Sequence, residues 1–188
     1  MKLIIASNNA HKIYEIEKML DGRFEAILSL REAGITHETV EDGKTFMENA
    51  LKKAREIAEI SGSAALADDS GICAHALDGA PGIYSARFSG GSDDDNNRLL
   101  LRMLADQEDK GAHYTCAMAL VFPDGREVCA EGYMYGSLTE EWRGDRGFGY
   151  DPIFVPDGES RTVAEMTDEE KNRISHRGAA LSALLAKL

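Results

Sequence analysis

Two adjacent carboxylates, Asp68 and Asp69, follow a short apolar run and precede a hydroxyl and a glycine in Ala67-Asp68-Asp69-Ser70-Gly71. We expect a buried strand from Ala64 to Ala67 that ends at the aspartates. A rigid strand end would hold these side chains in place, and neighbouring carboxylates repel each other unless a positive charge lies beside them. Mg²⁺, which binds carboxylate oxygens and water, would supply that charge. The alternative is a simple turn, because Asp, Ser and Gly are common turn residues.

A second polar segment, Ser7-Asn8-Asn9-Ala10-His11-Lys12, connects a predicted strand from Leu3 to Ala6 with a helix. Ser and Asn are favoured at helix N-termini, where open backbone N–H groups and the helix dipole attract anions. Lys12 lies one turn inside the helix and would add a positive charge. The segment is therefore a candidate phosphate site, although an ordinary strand–turn–helix connection with a solvated lysine fits the same residues.

Further acidic residues precede two predicted helices. Thr45 and Glu48 form a capping box that starts one of them, so Glu48 has a structural explanation. Glu41 has none, and it could converge on the aspartate pair. The run Asp93-Asp94-Asp95 precedes the other helix, where negative charge is favourable. We interpret this run as a cap rather than a metal site.

Glycines bracket an aromatic residue in Gly147-Phe148-Gly149-Tyr150-Asp151. Bare backbone beside a ring face suits a flat ligand such as a nucleobase, and a tight loop with a core Phe is the alternative. Downstream, Thr167 and Glu170 form another capping box, which predicts a C-terminal helical region. The polar residues Ser175-His176-Arg177-Gly178 interrupt that region. His176 and Arg177 could contact the edge of a base, or they could mark a helix break with a surface arginine.

The remaining pattern supplies the scaffold. Residues His113 to Phe122 and Glu127 to Tyr135 flank a Pro-Asp-Gly turn and predict a β-hairpin. Antiparallel strands added to a strand–helix framework imply an α/β fold with a mixed sheet. We find no internal repeat or linker, and 188 residues are compatible with a single domain over residues 1–188.

Composition limits the function classes. The formal net charge of −12 argues against a nucleic-acid polymer as ligand, because such binders usually present a basic surface. The three cysteines form no CxxC pair, which favours reduced thiols in the cytoplasm. No apolar run approaches the ~20 residues of a membrane span, and the N-terminal apolar run is too short for a signal peptide. We expect a soluble cytoplasmic protein without a membrane partner.

Six blocks occur in one order along nearly the whole chain: Ser7–Lys12, Glu41–Ala50, Ala67–Gly71, Gly79–Arg87, Phe148–Pro152 and Ser175–Gly178. Together they resemble the inosine triphosphate pyrophosphatase family, also called Ham1-like, and within it the bacterial dITP/XTP branch. The resemblance implies hydrolysis of ITP, dITP and XTP to the monophosphate and pyrophosphate by a Mg²⁺-dependent homodimer. It also implies an elongated, two-lobed α/β fold with a mixed twisted sheet flanked by helices and a central cleft.

The resemblance also implies a role for each matched residue. Asp69 would be the general base and a metal ligand, with Asp68 and Glu41 supporting the metal. Ser70 would touch the substrate. The residues expected to hold the triphosphate are Ser7, Asn8, Asn9, Ala10, His11 and Lys12, and Lys52 is a further expected substrate contact. The residues expected to enclose and read the base are Phe148, Gly149, Tyr150, Asp151, Lys171, His176 and Arg177.

Base selection would follow from hydrogen bonding. Hypoxanthine and xanthine present a 6-keto acceptor where adenine presents an amino donor, so donors such as Arg177 and backbone N–H groups near His176 would reject adenine. Guanine also carries a 6-keto group, so hydrogen bonding to that group does not exclude guanine. Two alternatives stay open: a Maf-like pyrophosphatase that acts on modified pyrimidine nucleotides, and a nucleotide-sensing module that binds without turnover.

Overall fold

The structure, a computed structural model, describes residues 2–20 and 22–188. The predicted domain of residues 1–188 also includes Met1 and Asp21, which lie outside the described residues. In chain order the elements are β1 (Lys2–Ile5), α1 (Ala10–Leu20), β2 (Ala26–Ser29), α2 (Phe46–Ser61), β3 (Ala64–Ala74), α3 (Asp93–Leu104), β4 (Gly111–Val121), β5 (Glu127–Leu138), β6 (Phe154–Pro156), α4 (Asp168–Ile174) and α5 (His176–Leu185). Across the described ranges, no helix is long and apolar enough to cross a membrane.

The six strands form one mixed sheet in the order β2-β1-β3-β4-β5-β6. β1 is parallel to both of its neighbours, and Ile4 is in register with Leu28 on β2 and with Ala65 on β3. A short turn joins β4 to β5, where Phe122 N donates to Arg126 O at 2.9 Å, and β6 is antiparallel to β5. The predicted α/β class, the mixed sheet and the hairpin are confirmed.

The chain divides into two compact units, each assembled from separate chain segments. The first unit contains the described residues of Met1–Asp69 together with Cys116–Gly132 and Gly178–Leu188. The second contains Ser70–Thr115 and Tyr133–Arg177. Two units agree with the expected two lobes, whereas the elongated shape and the central cleft stay predictions.

The first unit buries side chains on both faces of its strands. Because successive residues of a strand point to opposite faces, Leu3 and Ile5 pack in one core and Ile4 packs in another. Residues of α1 and α5 cover the first of these cores, and residues of α2 cover the second. Cover on both faces explains why β1 is continuously apolar rather than alternating.

The second unit has a core of its own. It is formed by α3, β6, the later part of β3, the first residues of β4 and the last residues of β5. Leu100 and Leu104 lie one turn apart on α3 and are both fully buried. The rings of Tyr114 and Phe154 meet edge to face with centroids 4.9 Å apart.

β3 is longer than the sequence indicated. The prediction of a strand that ends at Ala67 was wrong, because β3 continues through both aspartates to Ala74. The strand continues because its later residues, including Ile72, are themselves buried in the core of the second unit. Asp68 and Asp69 therefore lie within a strand, and their side chains leave it on opposite faces.

Gly71 is required by close packing rather than by a turn. A Cβ atom at this position would lie 2.4 Å from the carbonyl oxygen of Gly82 and 2.4 Å from Ser85 Oγ. Ser85 Oγ also accepts a hydrogen bond from Ile72 N at 2.9 Å. The 3₁₀ helix Gly82–Arg87 therefore lies directly against β3.

We predict that Gly71→Ala lowers the free energy of unfolding by about 1–3 kcal/mol, a range typical of overpacked sites. The clash involves a backbone carbonyl, which cannot rotate away as a side chain can. Urea unfolding followed by circular dichroism measures the loss. Gly111→Ala is the matched control, because its Cβ would meet only the ends of the Asp109 and His75 side chains. An equal or larger loss in the control would contradict this explanation.

Candidate functional site

Asp68 faces α1, where a lysine neutralises it. Lys12 Nζ lies 3.0 Å from Asp68 Oδ2, and the two side chains are 14% and 0% exposed. Cys116 Sγ lies 3.9 Å from the same oxygen. A carboxylate buried this deeply needs a nearby positive charge to remain ionised, and Lys12 supplies it.

Asp69 faces α2 on the other side of the strand. Asn49 Nδ2 donates to Asp69 Oδ2 at 2.9 Å, and both residues are buried. The other end of the same amide is also held, because Asn49 Oδ1 accepts from Gly43 N at 2.8 Å. The amide is therefore fixed between the loop before α2 and the carboxylate, and it orients that carboxylate.

Lys53 links Glu41, the third carboxylate predicted for the site, to β3. Its Nζ atom donates to Glu41 Oε1 at 3.0 Å and to the carbonyl oxygen of Asp68 at 2.7 Å. Lys53 was not among the predicted site residues, although it lies four positions after Asn49 and therefore on the same helix face. Lys52 instead pairs with the exposed Asp42 at 2.6 Å, and its predicted substrate contact stays a prediction.

The surroundings of Asp69 shift its affinity for protons. Burial raises the pKa of Asp69 above its ordinary value, and the nearby carboxylate of Glu41 acts in the same direction. The positive charges of Lys53 and Lys12 and the Asn49 hydrogen bond oppose burial but do not cancel it. A carboxylate with a raised pKa accepts a proton more readily, which suits a general base.

The predicted phosphate segment begins α1 as expected, but its backbone donors are already in use. Asn9 Oδ1 accepts from His11 N at 3.0 Å and from Lys12 N at 3.2 Å. Asn9 N in turn donates to Ser7 Oγ at 3.1 Å. The expectation that these two helical N–H groups are open was wrong, because the Asn9 side chain caps them. An anion that used them would first displace that side chain.

In the second unit, Asp151 organises the residues predicted to enclose a base. Its Oδ2 atom accepts from Lys171 Nζ at 2.9 Å and from Phe148 N at 3.1 Å. Lys171 Nζ lies 4.9 Å from the centroid of the Phe148 ring, and Arg177 Cζ lies 5.8 Å from it. Arg177 also donates from Nη2 to Ser70 Oγ at 2.9 Å. Five of the predicted site residues therefore lie together.

The start of α3 holds the glycine-bracketed loop. Asp93 Oδ2 accepts from Gly149 N at 3.0 Å, and Asn97 Nδ2 donates to Gly149 O at 3.0 Å. Asp95 forms a capping box with Ser92, so the predicted capping role of the acidic run is confirmed. Asp93 has an additional role that local sequence could not indicate, because its partner lies 56 positions away.

The C-terminal helical region is interrupted at Ser175, between α4 and α5. The prediction that His176, Arg177 and Gly178 also interrupt it was wrong, because these residues form the first turn of α5. The two residues that follow Ser175 are not on the surface: His176 is 4% exposed and Arg177 is 1% exposed. The alternative of a helix break with a surface arginine is therefore wrong. Burying a guanidinium requires polar partners, and Ser70 is one of them.

The donors around Asp69 fit Mg²⁺. Glu41 and Asp69 repel each other, as the effect of Glu41 on the pKa of Asp69 indicates. Mg²⁺ is often held by one or two carboxylates together with waters and substrate phosphates. In the part of the chain that the structure describes, no group of three His, Cys, Asp or Glu side chains forms a preformed metal site. That Asp68 supports a metal stays a prediction.

Comparisons with known proteins match nearly the whole chain. A sequence model described as the Ham1 family matches residues 3–187. The chain is 48% identical to a Streptomyces coelicolor protein named dITP/XTP pyrophosphatase, over 98% of this chain and 95% of that protein. It is 49% identical to a Leuconostoc mesenteroides protein of the same name, over 100% and 96%. A solved HAM1 protein structure from Coxiella burnetii superposes with a TM-score of 0.89 and 37% identity, covering 100% of both chains.

We predict that Lys53→Met raises the pKa of Asp69 further, because the lysine charge lowers that pKa in the intact protein. Carboxyl ¹³C NMR titration of the chelator-treated protein measures the change. Lys52→Met removes the neighbouring lysine, whose partner is Asp42, and should leave the Asp69 titration unchanged. An unchanged or lowered pKa in the Lys53 variant would refute this electrostatic assignment.

Proposed function

The chain belongs to the Ham1 family, and we propose that it hydrolyses dITP, ITP and XTP to the nucleoside monophosphate and pyrophosphate. The related proteins from Streptomyces coelicolor and Clostridium perfringens, each 48% identical, are named dITP/XTP pyrophosphatases. The observation that carries the proposal is the buried, oriented carboxylate of Asp69, whose pKa is raised by burial. Such a nucleoside triphosphate pyrophosphatase would remove deaminated purines from the nucleotide pool.

Asp69 would accept a proton from the attacking water. Asn49 fixes one oxygen of the carboxylate, so the group does not need to reorient when water binds. A positioned general base typically accelerates a reaction by about 10²–10⁴-fold.

The triphosphate would be held at the start of α1. Its negative charge must be neutralised locally, because the chain as a whole carries a charge of −12. Lys12 has three N–H groups, so it would contact a phosphate oxygen while it keeps Asp68, and the N–H groups now capped by Asn9 would turn to the anion. The residues proposed to contact phosphate are Ser7, Asn8, Asn9, Ala10, His11 and Lys12, with Lys52 as a further contact.

Asp69 and Glu41 would hold Mg²⁺ together with phosphate oxygens and water. When bound, the ion would neutralise charge on the phosphate groups. Lys53 now contacts Glu41 Oε1, so this contact would have to break when Mg²⁺ binds Glu41. Asp68 would support the metal from the opposite face of β3, where it pairs with Lys12.

The second unit would recognise the base. Arg177, which donates to Ser70, would also donate to a 6-keto oxygen of the base. Lys171 and Phe148 would contribute charge and a ring face. The full proposed set is Ser70, Phe148, Gly149, Tyr150, Asp151, Lys171, His176 and Arg177. Adenine would leave buried donors without partners, which typically lowers affinity by a few kcal/mol.

We also propose that the protein acts in the cytoplasm as a homodimer. The three cysteines are free thiols in the structure, and two of them, Cys73 and Cys116, are buried, which suits a reducing compartment. The homodimer follows from family resemblance alone. Sedimentation equilibrium at assay concentration would give twice the chain mass of 20.5 kDa if this proposal is correct.

We predict that the protein releases pyrophosphate from dITP, ITP and XTP in the presence of Mg²⁺. The panel should include dATP, dGTP, dTTP and UTP, with pyrophosphate and orthophosphate measured separately. Chelation of Mg²⁺ should abolish turnover, and its readdition should restore it. No pyrophosphate release from dITP would refute the proposal, whereas a preference for pyrimidines would favour a Maf-like activity.

Asp69→Asn should lower kcat for dITP by about 10²–10⁴-fold, because the amide cannot accept the proton. Binding should persist, since the substitution keeps the shape of the side chain. Calorimetric titration with dITP measures affinity alongside the kinetic assay. Asp124→Asn, in the exposed turn between β4 and β5, is the control and should retain wild-type kcat. Near-normal turnover in the Asp69 variant would place the base elsewhere.

A further inference from the structure

Tyr114 is a buried tyrosine on β4 that none of the roles above uses. Its hydroxyl lies 3.1 Å from Asp151 Oδ1 and donates a hydrogen bond to it. Only 7% of the residue is exposed. Burial and the nearby charge of Asp151 raise the pKa of Tyr114 well above its ordinary value, so the hydroxyl keeps its proton.

This hydrogen bond completes the set of donors that fixes Asp151. Tyr114 holds Oδ1, while Lys171 Nζ and Phe148 N both donate to Oδ2. A Cβ at position 147 would lie only 2.2 Å from the second oxygen, so Gly147 leaves the space that this oxygen occupies. With both oxygens held, the carboxylate has one orientation, and that orientation determines where the ammonium of Lys171 and the backbone of Phe148 lie.

The aromatic ring of Tyr114 has a second function. It stacks on the imidazole of His176 with centroids 4.6 Å apart and an interplanar angle of 12°. The ring of Tyr114 also packs edge to face against Phe154. Because Phe154 and His176 contact the same ring, packing fixes the plane of the imidazole. One side chain therefore constrains His176 through its ring and Asp151 through its hydroxyl.

We propose that Tyr114 is a positioning residue for base selection, acting through Asp151 and His176 rather than by touching the base. The inference rests on the proposed nucleotide hydrolysis. It predicts that the hydroxyl affects substrate affinity and base preference more than the chemical step, because the general base, Asp69, belongs to the other unit.

The test is Tyr114→Phe, which removes the hydroxyl and keeps the ring that packs on His176 and Phe154. We expect KM for dITP to rise about tenfold, as for loss of one hydrogen bond to a charged group. We expect kcat to stay close to wild type and the preference for dITP over dATP to fall by a similar factor. Faster hydrogen exchange of the Phe148 amide would report the loosened carboxylate directly.

Tyr135→Phe is the matched control, because Tyr135 is 52% exposed on β5 and has no proposed role. It should leave KM, kcat and base preference unchanged. If Tyr114→Phe keeps the wild-type KM and preference, or only loses kcat equally for both nucleotides as its melting temperature falls, the positioning role is overturned and the proposed function stands. If the wild-type protein fails to hydrolyse dITP, the proposed function fails and this inference fails with it.

Discussion

Two neighbouring carboxylates buried in one strand impose the constraint from which the first half of the site follows. Each would be strongly unfavourable without compensation, and together they would repel. The pleat of β3 solves the second problem by directing Asp68 and Asp69 to opposite faces, so each meets a different helix. Lys12 on α1 neutralises Asp68. On α2, Asn49 donates a hydrogen bond to Asp69 and the charge of Lys53 stabilises its ionised form. The two helices that cover the sheet thus also carry the polar partners.

The second unit uses a related solution. Asp151 is buried, and its charge is met by a buried lysine and by neutral donors from a tyrosine and a backbone amide. In both units a buried carboxylate is paired with Lys at about 3 Å. At Asp151, donors from Tyr114 and from the backbone of Phe148 also fix the orientation of the carboxylate. Both oxygens of Asp151 have hydrogen-bond partners, and a polar group held in this way rigidifies its surroundings, as a specific binding site requires.

Local sequence chemistry predicted the features that depend on neighbours along the chain. The caps at Thr45 and Thr167 follow from side chains that bond backbone only three residues away. The extent of β3 could not be predicted, because its later half is stabilised by residues far away in sequence. The roles of Lys53 and Tyr114 could not be predicted for the same reason, because they depend on Glu41 and Asp151, which only the tertiary fold brings close.

The core of the first unit contains Leu3 and Leu184, whose positions differ by 181 residues. During synthesis, the ribosome releases the N-terminal strand and helix long before α5 has been made. The apolar faces of β1 and α1 therefore remain exposed or loosely covered until α5 emerges. Contacts of such high sequence separation also slow folding, since a long loop must close first. Nascent chains of this protein are thus expected to expose this apolar surface, and to need protection of it, until α5 has been made.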